Sequence, residues 1–216
     1  MARARIRLLP LLLMLPWAAV AAESLRFAPA EILEWETHSF NGTTEYRLAE
    51  RDGEPAVHAR CDGGTGSGYV LQREIDLEAT PIMEWRWRVD AVYEGLDHRS
   101  KEGDDYPARI YVVDRHGVLR WRTRAINYVW ANSQPEGSDW PNPFTDRAHM
   151  VAVASGVPED KGFRSQRRNL RKDFQRFHGR ELGSVNVVAI MTDCDNAGQS
   201  AEAWYGAIRF LPEGTN

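Results

Sequence analysis

Three groups of residues in this sequence carry side chains suited to chemistry. The first is the acidic turn Glu102-Gly103-Asp104-Asp105, which runs through Tyr106-Pro107 to Arg109 and the apolar stretch Ala108 to Val113. Carboxylates at such a junction can accept hydrogen bonds from hydroxyl groups. They can also work as general acid and base on a glycosidic bond, which takes two carboxyl groups flanking the bond. Adjacent residues of an extended chain point in opposite directions, so Asp104 and Asp105 do not make such a pair with each other. One of them with Glu84, Asp90 or Asp193 would. Asp105 and Glu84 are therefore the candidate catalytic residues, and a purely structural ion pair between Asp105 and Arg109 is the competing reading.

The second group is Asp193-Cys194-Asp195-Asn196, followed by Ala197-Gly198. Asp193 and Asp195 are candidate Ca²⁺ ligands, since calcium is a hard cation that takes six to eight oxygens. The segment lacks the length and the closing glutamate of an EF-hand loop, and a hairpin turn needs only the Asx residues and the glycine. The third group lies in AINYVWANSQPEGSDWPNPFT, residues 125–145. Asn127, Trp130, Trp140 and Asn142 could form a wall that stacks on sugar rings and bonds their hydroxyls. A loop merely pinned by a buried Trp140 is the plainer alternative. Some chemistries find no support. There is no Gly-x-Ser-x-Gly, His-Glu-x-x-His or Cys-x-x-Cys, and the six histidines have no ligand-like spacing, which argues against zinc or haem.

These residues need elements to hold them. Glycine and acids favour a turn at 102–105, Pro107 keeps its neighbour extended, and Ala108–Val113 reads as a strand. Further strands are expected at 31–36 and 44–50 around Asn41-Gly42, then at 55–61, 69–75, 82–90, 118–124, 126–131, 149–155, 185–192 and 201–211. In residues 82–90, Met83, Trp85, Trp87 and Val89 alternate with Glu84, Arg86, Arg88 and Asp90, so one face is apolar and the other charged. Arg120, Arg122 and Arg124 alternate in the same way. If the two strands share a sheet, their arginines are either a solvated, charge-paired face or a grip for an acidic or hydroxyl-rich ligand. Residues 164–178 form the one expected helix, with Leu170, Phe174 and Phe177 on one stripe, Gly179 as its stop and arginines outside. The result is an all-β, two-sheet jelly-roll-like sandwich with one amphipathic helix near residues 164–178.

Residues 1–22 read as a cleavable signal peptide: Arg3, Arg5 and Arg7, an apolar core, then Val20-Ala21-Ala22. That predicts a periplasmic or secreted protein of one domain, 23–216, with no stable membrane insertion after cleavage. Losing those three arginines takes the formal charge from −4 to −7, which speaks against nucleic acid as a partner. The two cysteines, Cys61 and Cys194, leave two readings open in an oxidising compartment: a disulfide or two separate buried thiols.

GDDYPARIYVVD, INYVWA, WPNPFT, Arg168-Asn169-Leu170 with Asp173-Phe174, and AIMTDCDNAGQSAEAWYGAIRF together resemble an exported bacterial family, domain of unknown function 3047. The resemblance spans residues 25–211. Two positions depart from the family pattern. Cys194 stands where threonine is usual, which speaks against a family-wide disulfide, and Ala207 stands where an aspartate is common, which weakens the case for calcium. More distantly, the closing acidic turn and aromatic strand look like the last hairpin of jelly-roll carbohydrate-binding modules and concanavalin-like glycan enzymes. The expected partner is therefore a polysaccharide or small polar ligand, in a cleft between the 98–109 turn and the 130–145 loop. The alternatives are a glycoside hydrolase or lyase, or an envelope protein that docks through the basic helix.

Overall fold

The computed structural model describes residues 23–157, 160 and 162–215; the expected signal peptide, 1–22, lies outside them. Among the described residues, thirteen strands form two sheets. One contains, in spatial order, β11 (Arg164–Asn169), β6 (Ile82–Val89), β13 (Ser200–Leu211), β4 (Glu54–Asp62) and β3 (Glu45–Arg51), with β1 (Leu25–Phe27) also on β13. The other contains β2 (Glu36–Asn41), β5 (Gly66–Asp76), β12 (Ser184–Asp193), β7 (Arg109–Asp114), β8 (Arg124–Ala131), β10 (Ala148–Ser155) and β9 (Asp139–Pro141). Below these are the six-stranded and seven-stranded sheets. Pairing is antiparallel except between β8 and β10, which the 132–147 connection joins in parallel.

The two-residue period of a strand explains the core. On β6, Met83, Trp85, Trp87 and Val89 all face inward and are buried. Trp85 meets Tyr128 at 5.4 Å and Trp87 meets Trp130 at 5.7 Å between ring centroids, so aromatic rings from the two sheets close the interior. At about 25 cal/mol per Å² and roughly 200 Å² per indole, each such tryptophan contributes up to about 5 kcal/mol by burial. The resulting architecture is a jelly-roll-like β-sandwich.

Three local expectations need correction. Residues 29–32 form a short helix, α1 (Pro29–Ile32), ahead of β2. Pro29 opens it, and Glu31 accepts the backbone N–H of Ala28 at 2.6 Å, a capping arrangement that outweighs the strand-like text of 31–36. Residues 118–124 are not a sheet strand, because β8 begins only at Arg124 and Arg120–Arg122 make a single 3₁₀ turn. Helix α2 spans Leu170–His178 rather than 164–178, and 164–169 is edge strand β11, paired with β6. RSQRRN contains no apolar residue, so it offers no period to read, while its arginines blunt an exposed sheet edge. Asn169 caps α2 by accepting Lys172 N–H at 3.1 Å, and Gly179 ends it at φ 62°. Asn41-Gly42 does not close a hairpin: β2 and β3 belong to different sheets, so this turn carries the chain across the sandwich. No helix among the described residues is long and apolar enough to cross a membrane.

Candidate ligand-binding cleft

The same period that buries Ile110, Val112, Ile126, Tyr128 and Ile190 turns their neighbours to the outer face of the seven-stranded sheet. Register then sets these neighbours side by side. Met191 lies opposite Arg109, and Tyr111 opposite Asn127. They floor a cleft of about 460 Å³, whose walls include Asp104, Asn142 and Phe144 from loops, Asp195 and Asn196 from the turn after β12, and Phe40 from β2. Phe40 and Phe144 are 65% and 57% exposed, so the rim offers apolar ring surface to solvent.

Arg109 lies beneath the cleft and is 1% exposed. Its Nε donates to Asp193 Oδ1 at 3.1 Å and its Nη2 to Asp193 Oδ2, from a residue 84 positions away. Nη2 also donates to the Asp104 carbonyl at 2.6 Å, and Nη1 to the Tyr111 hydroxyl at 3.0 Å, with Asp104 Oδ2 at 3.5 Å. These contacts occupy the donors of the guanidinium fork. Arg109 thus holds the 104–106 turn, β7 and the end of β12 together, with no fork left over for a ligand. Burial holds the Asp104 carboxyl above its ordinary range and Asp193 at about 7, even with the Arg109 guanidinium beside them pulling the other way.

Asp105 is fully buried on the other side of the turn. It accepts N–H groups from Asn196 at 2.8 Å and Ala197 at 2.5 Å, and the Asn196 side chain at 3.2 Å. Its partner is thus the 195–197 turn, not Arg109. Cys61 of β4 and Cys194 are bonded, with Cα atoms 6.1 Å apart, so a covalent tie between the sheets fixes the same turn. Asp105, Asp193 and Asp195 bring carboxylate oxygens within 4.8 Å of one another. Both oxygens of Asp193 already face a buried guanidinium and those of Asp105 face N–H donors, so this donor set fits the arginine clamp rather than calcium.

The other sequence candidates divide. Asp104, Arg109, Asn127 and Asn142 come together, and Asn142 Nδ2 reaches Asp104 Oδ2 at 3.4 Å. Trp130 does not join them. It shares parity with Ile126 and Tyr128, packs in the core and donates its indole N–H to the Gly156 carbonyl at 2.7 Å. Trp140 on β9 is 4% exposed and packs with Tyr106, Val129 and Met150, pinning the loop to the sheet. Glu84 lies on the outer face of the opposite sheet, paired with Arg167 and Arg209, so it and Asp105 cannot flank one bond. Tyr111 and Met191 were legible by parity with Arg109 and by the terminal position of Met191 in an apolar run. Phe40 and Phe144 had no such signal.

The description "Protein of unknown function (DUF3047)" belongs to the family that matches residues 33–209. No curated protein matches the chain in sequence. Among solved structures it is similar to the family 11 carbohydrate-binding module of the cellulosomal cellulase Lic26A-Cel5E of Clostridium thermocellum, at 10% identity over 89% of this chain and 96% of that one, TM-score 0.49. It is also similar to the family 30 carbohydrate-binding module of cellulase Cel9D-Cel44B of the same organism, at 10% identity, 88% and 99% coverage, TM-score 0.48. A third is a cellulase derived from Cel12A of Rhodothermus marinus, at 9% identity, 86% and 99% coverage, TM-score 0.43. Binding modules and an enzyme share this likeness, which at these scores carries no argument about function.

Proposed function

The chain belongs to the DUF3047 family, and on that premise we propose that it is an exported protein whose cleft binds a glycan or a similar hydroxyl-rich ligand. One observation carries the reading. The side chains of Asp104, Asn127, Asn142 and Asn196 line a cleft whose rim carries the exposed rings of Phe40 and Phe144. Polar groups of this kind exchange hydrogen bonds with sugar hydroxyls, and the apolar faces of sugar rings suit the rings of Phe40 and Phe144. Arg109 is the positioning residue: it keeps Asp104 and Tyr111 in place while its own charge is balanced by Asp193.

Titration calorimetry of the purified protein against a panel of neutral and acidic oligosaccharides tests the reading. Saturable binding is expected, weakened about tenfold by Asn127→Ala and by Phe144→Ala, as the loss of roughly one hydrogen bond or one ring contact implies. Binding to no member of the panel, or binding that neither substitution changes, contradicts it.

A further inference from the structure

A second cavity of about 610 Å³ adjoins the cleft, and Thr145 and Ala148 line both. The two form one groove along the outer face of the seven-stranded sheet. Their halves differ in charge. The first is walled by Asp104, Asp193 and Asp195, with Arg109 neutralised inside. The second is lined by Arg115, Arg120 and Arg147, and among the described residues no acidic one lines it.

Those three arginines are exposed, and among the described residues none has a carboxylate within ion-pair distance. Arg115 donates to the Gln72 side-chain oxygen at 2.5 Å, and Arg147 to the Arg120 carbonyl at 3.2 Å and the Thr145 hydroxyl at 3.4 Å. Neutral acceptors orient these guanidinium groups without cancelling their charge. The nearest acid on the strand below, Asp114, is engaged by His116 at 3.0 Å and Arg180 at 3.7 Å. Asp146 precedes Arg147 in sequence but does not line the cavity. Three uncompensated forks in one concavity complement a planar or tetrahedral anion. Because they line a hollow continuous with the cleft rather than a protruding surface, the anion they suit is carried on the ligand that the cleft holds.

We propose that Arg115, Arg120 and Arg147 form an anion subsite, and that the ligand is an acidic polysaccharide whose carboxylate or sulfate group lies there while a neutral part of the chain occupies the cleft. The proposal rests on the glycan reading of the cleft and extends it to a substrate class.

The test compares matched ligands: oligogalacturonate with its methyl ester, and dextran sulfate with unsulfated dextran. Each is titrated into the wild type, into Arg120→Gln/Arg147→Gln, and into Asn127→Ala. The acidic member of at least one pair should bind about tenfold more tightly, the effect of one charge-assisted hydrogen bond at a partly exposed site. The advantage should shrink between 50 and 300 mM salt. The double variant should erase it and leave neutral binding unchanged, whereas Asn127→Ala should weaken both members of a pair. Equal binding within both pairs overturns the subsite and leaves the cleft reading standing. No binding within either pair overturns the subsite, and the cleft reading falls with it when the wider panel of oligosaccharides also fails to bind. Vesicles of phosphatidylglycerol are the remaining arm, and binding to them that is lost in the double variant, without any preference for acidic saccharides, reassigns the arginines to a membrane surface and overturns the proposal.

Discussion

Replacing Arg109 with methionine keeps most of the side chain's volume and removes its charge and its N–H donors. Asp193 and Asp104, 3% and 7% exposed, would then face each other in the interior without a cation. Breaking a buried pair by removing one partner costs about 3–5 kcal/mol. For a domain of this size that corresponds to a fall of about 6–20 °C in midpoint temperature. The cost should depend on pH in a definite direction. Burial has already pushed Asp193 up to about 7 with the guanidinium beside it, and losing that guanidinium raises it further. A raised folded-state value means that the native variant binds a proton more readily than the unfolded chain. Its stability therefore rises as pH falls, and the deficit at pH 8 should narrow by more than about 1 kcal/mol by pH 5. Urea unfolding of wild type and variant at the two pH values measures this. Arg109→Met/Asp193→Leu, which replaces the pair with apolar volume, should recover most of the loss. A single variant within about 1 kcal/mol of wild type at pH 8, or a deficit that does not change with pH, would refute the clamp.

Two further outcomes follow from the groups around it. His98 is buried, its Nε2 accepts from Asn132 Nδ2 at 3.2 Å, and burial pushes its imidazole down to about 4. Since the folded value lies below the unfolded 6.5, its contribution is complete above pH 6.5 and is lost as pH falls towards 4, by about 3 kcal/mol in all. The difference in unfolding free energy between wild type and His98→Phe should shrink by that amount over the interval, and a constant difference would exclude it. The Cys61–Cys194 bond closes a loop of 133 residues. Cys61→Ser/Cys194→Ser should cost about 4–5 kcal/mol in chemical denaturation on the chain-entropy estimate, and a loss under about 1 kcal/mol would show that the tie is not needed to hold the sheets.

The sandwich was legible because strand alternation is a local signal. IMEWRWRVD declares its buried face in its own letters, and the structure buries Met83, Trp85, Trp87 and Val89 as that face requires. The residues around Asp104 were also legible as a group, since a glycine-acid turn, a proline and a strand start have local causes. Their partners were not. Whether Arg109 pairs with Asp105 or with Asp193 depends on a register across 84 positions that no local pattern encodes. Trp130 and Trp140 show the related limit: an aromatic beside asparagine and proline reads as ligand-facing, but strand parity sends Trp130 inward and pairing with Met150 sends Trp140 under the loop. The arginines of 120–124 alternated convincingly, yet an alternating stretch with no strand to pair with is only a loop.

The most direct measurement of where this protein meets its ligand is a map of backbone amide shifts on adding an acidic oligosaccharide to the labelled protein. The cleft account predicts that the largest changes gather at Tyr111, Asn127, Phe144 and Met191 and extend to Arg120 and Arg147. Changes gathered instead at the cavity of about 500 Å³ on the opposite sheet, around Glu84, Arg167 and Arg209, would contradict it.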